Sequence, residues 1–167
     1  MFDIPIRLKV DKQSLQKKFI ELSKKYNPDY FATQAFEKQA KALEISATLN
    51  KAWKTFQNPD ETIKYVLQSK GLLEDEEKYQ LPPGFLMEMM EINEQLVGAK
   101  MEENAEKTTH LSSVISQLST EIYEPVKEIV EHYQESITSE KELLQVKDYY
   151  FKKKYLNRIR QQLTGKP

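Results

Sequence analysis

At 167 residues the chain is long enough for one domain or two small ones, and a chain of this size buries roughly 70% of the surface its unfolded form exposes. It has no cysteine, which removes disulfides, thiolate metal sites and thiol nucleophiles together, and its apolar runs of three or four residues are too short to span a membrane. The net charge of −1 is unevenly spread: residues 1–70 carry 13 Lys and Arg against 8 Asp and Glu, and residues 71–167 carry 12 against 18, so two units with different partners are expected.

Scarce glycine and abundant Lys, Glu, Gln and Leu favour helix. Asp11 is a good N-cap, and a helix is expected over Lys12–Tyr26 with Leu15, Phe19 and Leu22 on one stripe. Lys17, Lys18, Lys24 and Lys25 fall off that stripe. Pro28 disfavours helical geometry at Asn27 and should end the helix. Helical pattern resumes near Thr33 and runs to about Gln57. Its buried face is expected to carry Phe36, Ala40, Leu43, Ala47, Leu49, Ala52, Trp53 and Phe56. The two segments read as an αα-hairpin. Asn58-Pro59-Asp60 ends the second helix. A short third helix comes next over Glu61–Ser69 with Ile63, Val66 and Leu67 inward, stopped by Gly71.

Leu73–Pro83 reads as a hinge, an acidic run followed by the Pro82-Pro83-Gly84 punctuation. Three more helices are expected. The first runs from Phe85 to about Val97, with Phe85, Met89, Ile92 and Leu96 as its core stripe. The second runs from about Glu103 to Tyr133, with Leu111, Ile115, Leu118, Ile122, Val126, Ile129 and Tyr133 inward; Pro125 should kink or split it. The third opens on the capping box Ser139-Glu140-Lys141-Glu142 and carries Leu144, Phe151, Tyr155, Ile159 and Leu163. No strand alternation and no repeat is visible. The expected fold is all-α: residues 1–72 form a hairpin domain, 73–84 a linker, and 85–167 a three-helix bundle.

Candidate chemistry is confined to surfaces. The turn Asn27-Pro28-Asp29 follows a lysine-rich helix. Pro28 stiffens it, and Asp29 can offer a carboxylate to a partner's arginine. The same tripeptide recurs at Asn58-Pro59-Asp60, so the tripeptide alone means a turn; the flanking lysines give the first copy its functional reading. The helix from Phe85 carries more apolar residues than one buried face needs. Leu86, Met87, Met90 and Val97 lie off its core stripe, and methionine is common on surfaces that receive a partner. His110 and His132 stand 22 residues apart and neither makes a Glu-x-x-His pair, so no metal site is expected. No Gly-rich phosphate loop is present. The Lys152-Lys153-Lys154 run beside Tyr149, Tyr150 and Tyr155 could serve RNA, but a pI near 6.2 argues against it. No cofactor, no catalytic residue and no enzyme activity are expected.

These segments resemble an HscB-type J-domain protein. The resemblance rests on Lys17-Lys18, on Asn27-Pro28-Asp29, and on Ser46-Ala47-Thr48-Leu49-Asn50-Lys51-Ala52-Trp53. Pro59 with Ile63-Lys64-Tyr65-Val66-Leu67, the Phe85–Glu94 segment, and Lys147-Asp148-Tyr149-Tyr150-Phe151 through Ile159 extend it over nearly the whole chain. It implies an L-shaped, two-domain co-chaperone of iron–sulfur cluster assembly. A DnaK- or HscA-type chaperone would bind at Lys17, Lys18, Lys24, Lys25, Asn27, Pro28 and Asp29. An IscU-type scaffold protein would bind at Leu86, Met87, Met90, Glu91, Glu94 and Phe151. No nucleic acid or membrane partner is implied, and the location would be cytoplasmic, or the mitochondrial matrix in a eukaryote. Two departures stand out. Asn27 replaces the family's histidine, so weakened chaperone ATPase stimulation is expected. Only Met1–Pro5 remains of the family's opening helix, which is expected to be truncated unless the chain is a fragment. The rival readings are a helical adaptor with no chaperone coupling and a small helical metalloenzyme.

Overall fold

The Asp11 carboxylate accepts the Gln13 and Ser14 amides at 3.2 and 3.3 Å and so opens α1, Lys12–Lys25. The structure, a computed structural model, describes residues 6–165; the truncation expected at Met1–Pro5 lies outside them. A 3-10 turn, Pro28–Phe31, leads to α2, Phe36–Gln57. This start lies later than Thr33. The Gln39 amide donates to the Ala32 and Gln34 carbonyls at 3.1 and 2.7 Å, which satisfies loop groups that a longer helix would otherwise have taken up.

The hairpin has its own core. Leu15 and Leu49 are buried there, with Phe19, Leu22, Ala52 and Phe56 around them, and the Phe19 and Trp53 rings stack at 4.4 Å. The expected α2 face is only half right. Leu49, Ala52, Trp53 and Phe56 pack inward, but Phe36 and Leu43 are 82% and 62% exposed, and Ala40 and Ala47 face solvent. Helix α2 is apolar on two sides, and α1 covers only the side bearing Ala42 and Leu49. Periodicity alone cannot rank two stripes on one helix.

Asn58 both ends α2 and caps α3, Pro59–Ser69, accepting the Asp60 amide at 2.9 Å. Gly71, at φ +69°, takes the left-handed conformation that stops α3. Helix α4, Pro83–Met101, begins two residues earlier than Phe85, because a proline at the first helical position is already set at the right φ. Past Gly98 it continues to a turn in which Glu103 is left-handed, and Asn104 then caps α5, Ala105–Tyr123. Pro125 breaks the helical run beyond Tyr123 into a 3-10 turn, Glu124–Val126, and a short α6, Lys127–Glu131. The capping box at Ser139 and Glu142 forms as expected and starts α7, Glu140–Thr164. Leu144 is 45% exposed rather than inward, since Leu143 and Val146 take the buried positions of that turn. Every regular element among the described residues is helical.

Two further cores hold the halves. Met89, Ile92 and Leu96 of α4, Leu111 and Ile115 of α5, and Leu156 and Ile159 of α7 form the bundle interior. The other joins the halves: Leu8, Ile63, Val66, Leu67 and Leu73 meet Val126, Val130, Tyr133, Leu143, Val146, Tyr149 and Tyr150. Polar ties surround this seam. Lys9 bonds Glu131 at 2.7 Å, Lys70 bonds Glu135 at 3.0 Å, and Asp60 receives Lys153 and the Asn157 amide. Leu67 is fully buried in the seam. Leu67→Ala is expected to cost about 2–5 kcal/mol, through lost transfer energy and the cavity left behind. Urea unfolding followed by circular dichroism measures it; a loss under 1 kcal/mol would contradict the seam's role.

Candidate protein-binding surfaces

The first surface is built at the C-terminal end of α1. At about 100° per residue, Lys17, Lys18, Lys24 and Lys25 share roughly 120° of arc to one side of the Leu15 stripe, with Lys18 at its edge. Lys17, Lys24 and Lys25 are exposed, whereas Lys18 is half-buried and bonds Glu21 at 3.2 Å. Lys24 and Lys25 stand in the last turn, where cations suit the helix dipole. Lys25 also lies 5.4 Å from the Tyr26 ring centre. Lys24 and Lys25 thus stand next to the turn at residues 27–29, whereas Lys17 and Lys18 lie about two turns back along α1.

The two Asn-Pro-Asp tripeptides fold alike and end differently. Each asparagine Oδ1 accepts the amide two residues on, at 3.1 Å for Asn27 and 2.9 Å for Asn58. Pro28 is half-buried and follows Asn27 as the first residue of its turn. Asp60 is then engaged by Lys153 and Asn157 in the seam. Asp29 is exposed, and no cation pairs with its carboxylate among the described residues. One copy is structural; the other presents an unpaired acid beside a basic helix.

The second surface is the outer face of α4. Met89, Ile92, Leu96 and Ala99 are buried. On the opposite side Met87 is 64% exposed and Met90 59%, with Glu91 and Glu94 also exposed. Leu86 is half-buried at the edge of this ridge. It lines a groove of about 570 Å³ together with Phe151, Tyr79, Leu81, Tyr155 and Arg158. The structure thus brings Leu86 and Phe151 together in the groove, whereas Met87, Met90, Glu91 and Glu94 lie on the exposed face of α4 and do not line it. Val97, 51% exposed, continues the apolar ridge as its place off the core stripe suggests, and Met101, 83% exposed, extends it beyond the residues singled out from sequence.

The groove's far wall was not expected. Tyr79 comes from the acidic hinge, which packs as a strap along α7. Its ring stacks on Phe151 at 4.5 Å with planes 5° apart, and its hydroxyl donates to Asp148 at 2.9 Å. Lys147 bonds Glu77 of the same strap at 2.6 Å. Burial, and then the Asp148 carboxylate, push the Tyr79 phenol up to about 12. An aromatic flanked by acids and a lysine in a hinge has no periodic signal that would have marked it.

Among the described residues no three His, Asp or Glu side chains are placed to share a metal ion, and His110 and His132 are both exposed. No helix of the described chain is long and apolar enough to cross a membrane.

A basic helical hairpin locked to a three-helix bundle with an exposed methionine ridge makes a two-domain, all-helical architecture. Residues 81–164 match the family model described as the HSCB C-terminal oligomerisation domain, and the chain belongs to that HscB family. Its fold is similar to that of chaperone HscB from Vibrio cholerae, with a TM-score of 0.72 and 22% identity over 98% of this chain and 92% of that one. It is also similar to human co-chaperone protein HscB, with a TM-score of 0.77 and 24% identity over 98% of this chain and 78% of that one.

Tyr79 and Tyr149, the latter also pushed up to about 12 by burial, favour the neutral phenol in the folded state. Their contribution to stability is full below the ordinary tyrosine value near 10 and is lost as pH rises towards 12. Ultraviolet titration of phenolate should show late-ionising tyrosine, reduced in amplitude by one residue in Tyr79→Phe. An unchanged late fraction would contradict the burial of Tyr79 against Phe151.

Proposed function

We propose that this chain is a co-chaperone of iron–sulfur cluster assembly that presents a scaffold protein of the IscU type to a DnaK- or HscA-type chaperone. The observation that carries the reading is the unpartnered ridge and groove on α4 and α7. Leu86, Met87, Met90 and Phe151 supply apolar anchors, and Glu91 and Glu94 supply the polar rim that an interface needs for register. Flexible, polarisable methionine suits a surface that must fit another protein. The division of labour we propose follows the domain boundaries expected from sequence: residues 1–72 for the chaperone, 85–167 for the scaffold, and 73–84 between them. Binding, not bond-making, is the work proposed for every one of these residues. A cytoplasmic location, or the matrix in a eukaryote, fits the partners proposed.

Docking on the chaperone is assigned to Lys17, Lys18, Lys24, Lys25, Asn27, Pro28 and Asp29. The exposed lysines would steer an acidic chaperone surface, with an association rate that falls as salt rises. The unpaired Asp29 is free for a charge-assisted bond to an arginine. Asn27 supports weak stimulation of the chaperone ATPase. It has no imidazole, and its Oδ1 is taken up by the Asp29 amide. The same observation favours a second reading, an adaptor that holds its client without driving the chaperone cycle.

Replacing Leu86, Met90 and Phe151 together by Ala is expected to weaken scaffold binding by about 100-fold or more, at on the order of 1–2 kcal/mol for each anchor. Helicity by circular dichroism should be retained. Calorimetry that returned the wild-type affinity would remove the site. In steady-state chaperone ATPase assays the wild type should stimulate weakly and Asn27→His several-fold more. Full stimulation by the wild type, unchanged by the histidine, would contradict the role given to Asn27. No stimulation by either protein would favour the adaptor.

A further inference from the structure

Cations on α7 differ in how they are used. Lys147 pairs with Glu77, Lys152 with Asp148 at 2.6 Å, and Lys153 with Asp60. Lys154 and Arg158, one turn apart on the same helix, have no carboxylate within ion-pairing distance among the described residues; nor has Lys78 on the strap opposite. All three line the groove that holds Leu86, Phe151 and Tyr155. Its apolar wall therefore carries a cluster of uncompensated positive charge in the acidic half of the chain.

We infer that this groove recognises a protein segment in which an aliphatic or aromatic side chain stands beside a carboxylate. The apolar group would enter between Leu86, Phe151 and Tyr155, and the carboxylate would meet Arg158 and Lys154. Arginine holds a carboxylate by two parallel bonds, and so fixes the direction of the segment as well as its place. A nucleic acid fits less well. A polyphosphate would extend past the three cations towards the exposed Glu91 and Glu94 of α4 and be repelled there, whereas a single carboxylate is held by Arg158 and Lys154 alone. The inference rests on the reading of the bundle as a client-binding surface and specifies what the client must offer there.

Two arms test it on the full-length protein. In the first, a peptide of sequence Ac-Glu-Leu-Leu-Tyr-Asp-amide, its Lys-for-acid counterpart, and a dT10 oligonucleotide are titrated while backbone amide signals are followed by NMR. The acidic peptide should shift signals around Leu86, Phe151 and Tyr155, and the lysine peptide should not. Lys154→Glu with Arg158→Glu, with helicity checked by circular dichroism, should reverse that preference. Equal response to both peptides, response to neither, or response to dT10 in place of the acidic peptide would overturn the inference. In the second arm the affinity of a purified IscU-type scaffold is measured. The double reversal should weaken it about tenfold or more. Unchanged affinity, in a protein that still loses binding on Leu86→Ala, Met90→Ala and Phe151→Ala, would overturn the inference and leave the proposed function standing. A scaffold that never binds, with a preference for the acidic peptide intact, would refute the proposed function and leave the groove's chemistry standing.

Discussion

The seam between α3 and α7 is the constraint on which the rest of the molecule depends. Ile63, Val66 and Leu67 have no core of their own in the hairpin; they are buried only because α6 and α7 supply Val130, Val146, Tyr149 and Tyr150. Apolar burial of this kind is non-directional and gives stability without choosing a geometry. Direction comes from the ties around it: Lys9 to Glu131, Lys70 to Glu135, and Asp60 to Lys153 and Asn157. The hairpin and the bundle are therefore held in one arrangement. A client on α4 and a chaperone on α1 would meet through a fixed spacer instead of a loose tether, which matters because linked binding events gain only where the geometry allows both at once.

Each proposed surface departs from the usual economy of a helical protein. A helix in a small bundle needs one apolar stripe, and α4 has that in Met89, Ile92 and Leu96. The exposed Met87, Met90, Val97 and Met101 add nothing to the interior. At the other end, two identical tripeptides share one local turn, and the surroundings decide their use. Asp60 is bound into the seam, whereas Asp29 is left facing solvent after the lysine-rich α1. A short motif thus takes its meaning from what stands around it.

Much of this was legible in the sequence, for reasons specific to particular residues. The caps at Asp11 and Ser139, the stops at Pro28 and Gly71, and the split at Pro125 are local chemistry, and local chemistry can be read directly. The α4 core stripe was read correctly although that helix is apolar on a second side, and the α5 stripe was legible because α5 has one dominant apolar spacing. Helix α2 has two, and its N-terminal stripe of Phe36, Ala40, Leu43 and Ala47 reads as inward although α1 packs on the other side. Leu144 against Leu143 is a choice between neighbours that only the partner helix makes. The strap was not legible at all. Tyr79 finds Phe151 and Asp148 across a sequence separation of about seventy residues, a tertiary pairing that no window of sequence contains.

The central claim is that one end of the molecule, and not the other, grips the client. Hydrogen exchange of the protein alone and with a saturating IscU-type scaffold tests it most directly, because exchange reports where a partner covers or rigidifies the backbone. Slowed exchange confined to α4 from Leu86 to Val97 and to α7 around Phe151, with α1 and the turn at residues 27–31 unchanged, is the predicted result. Protection on the hairpin with none on α4 would contradict the account.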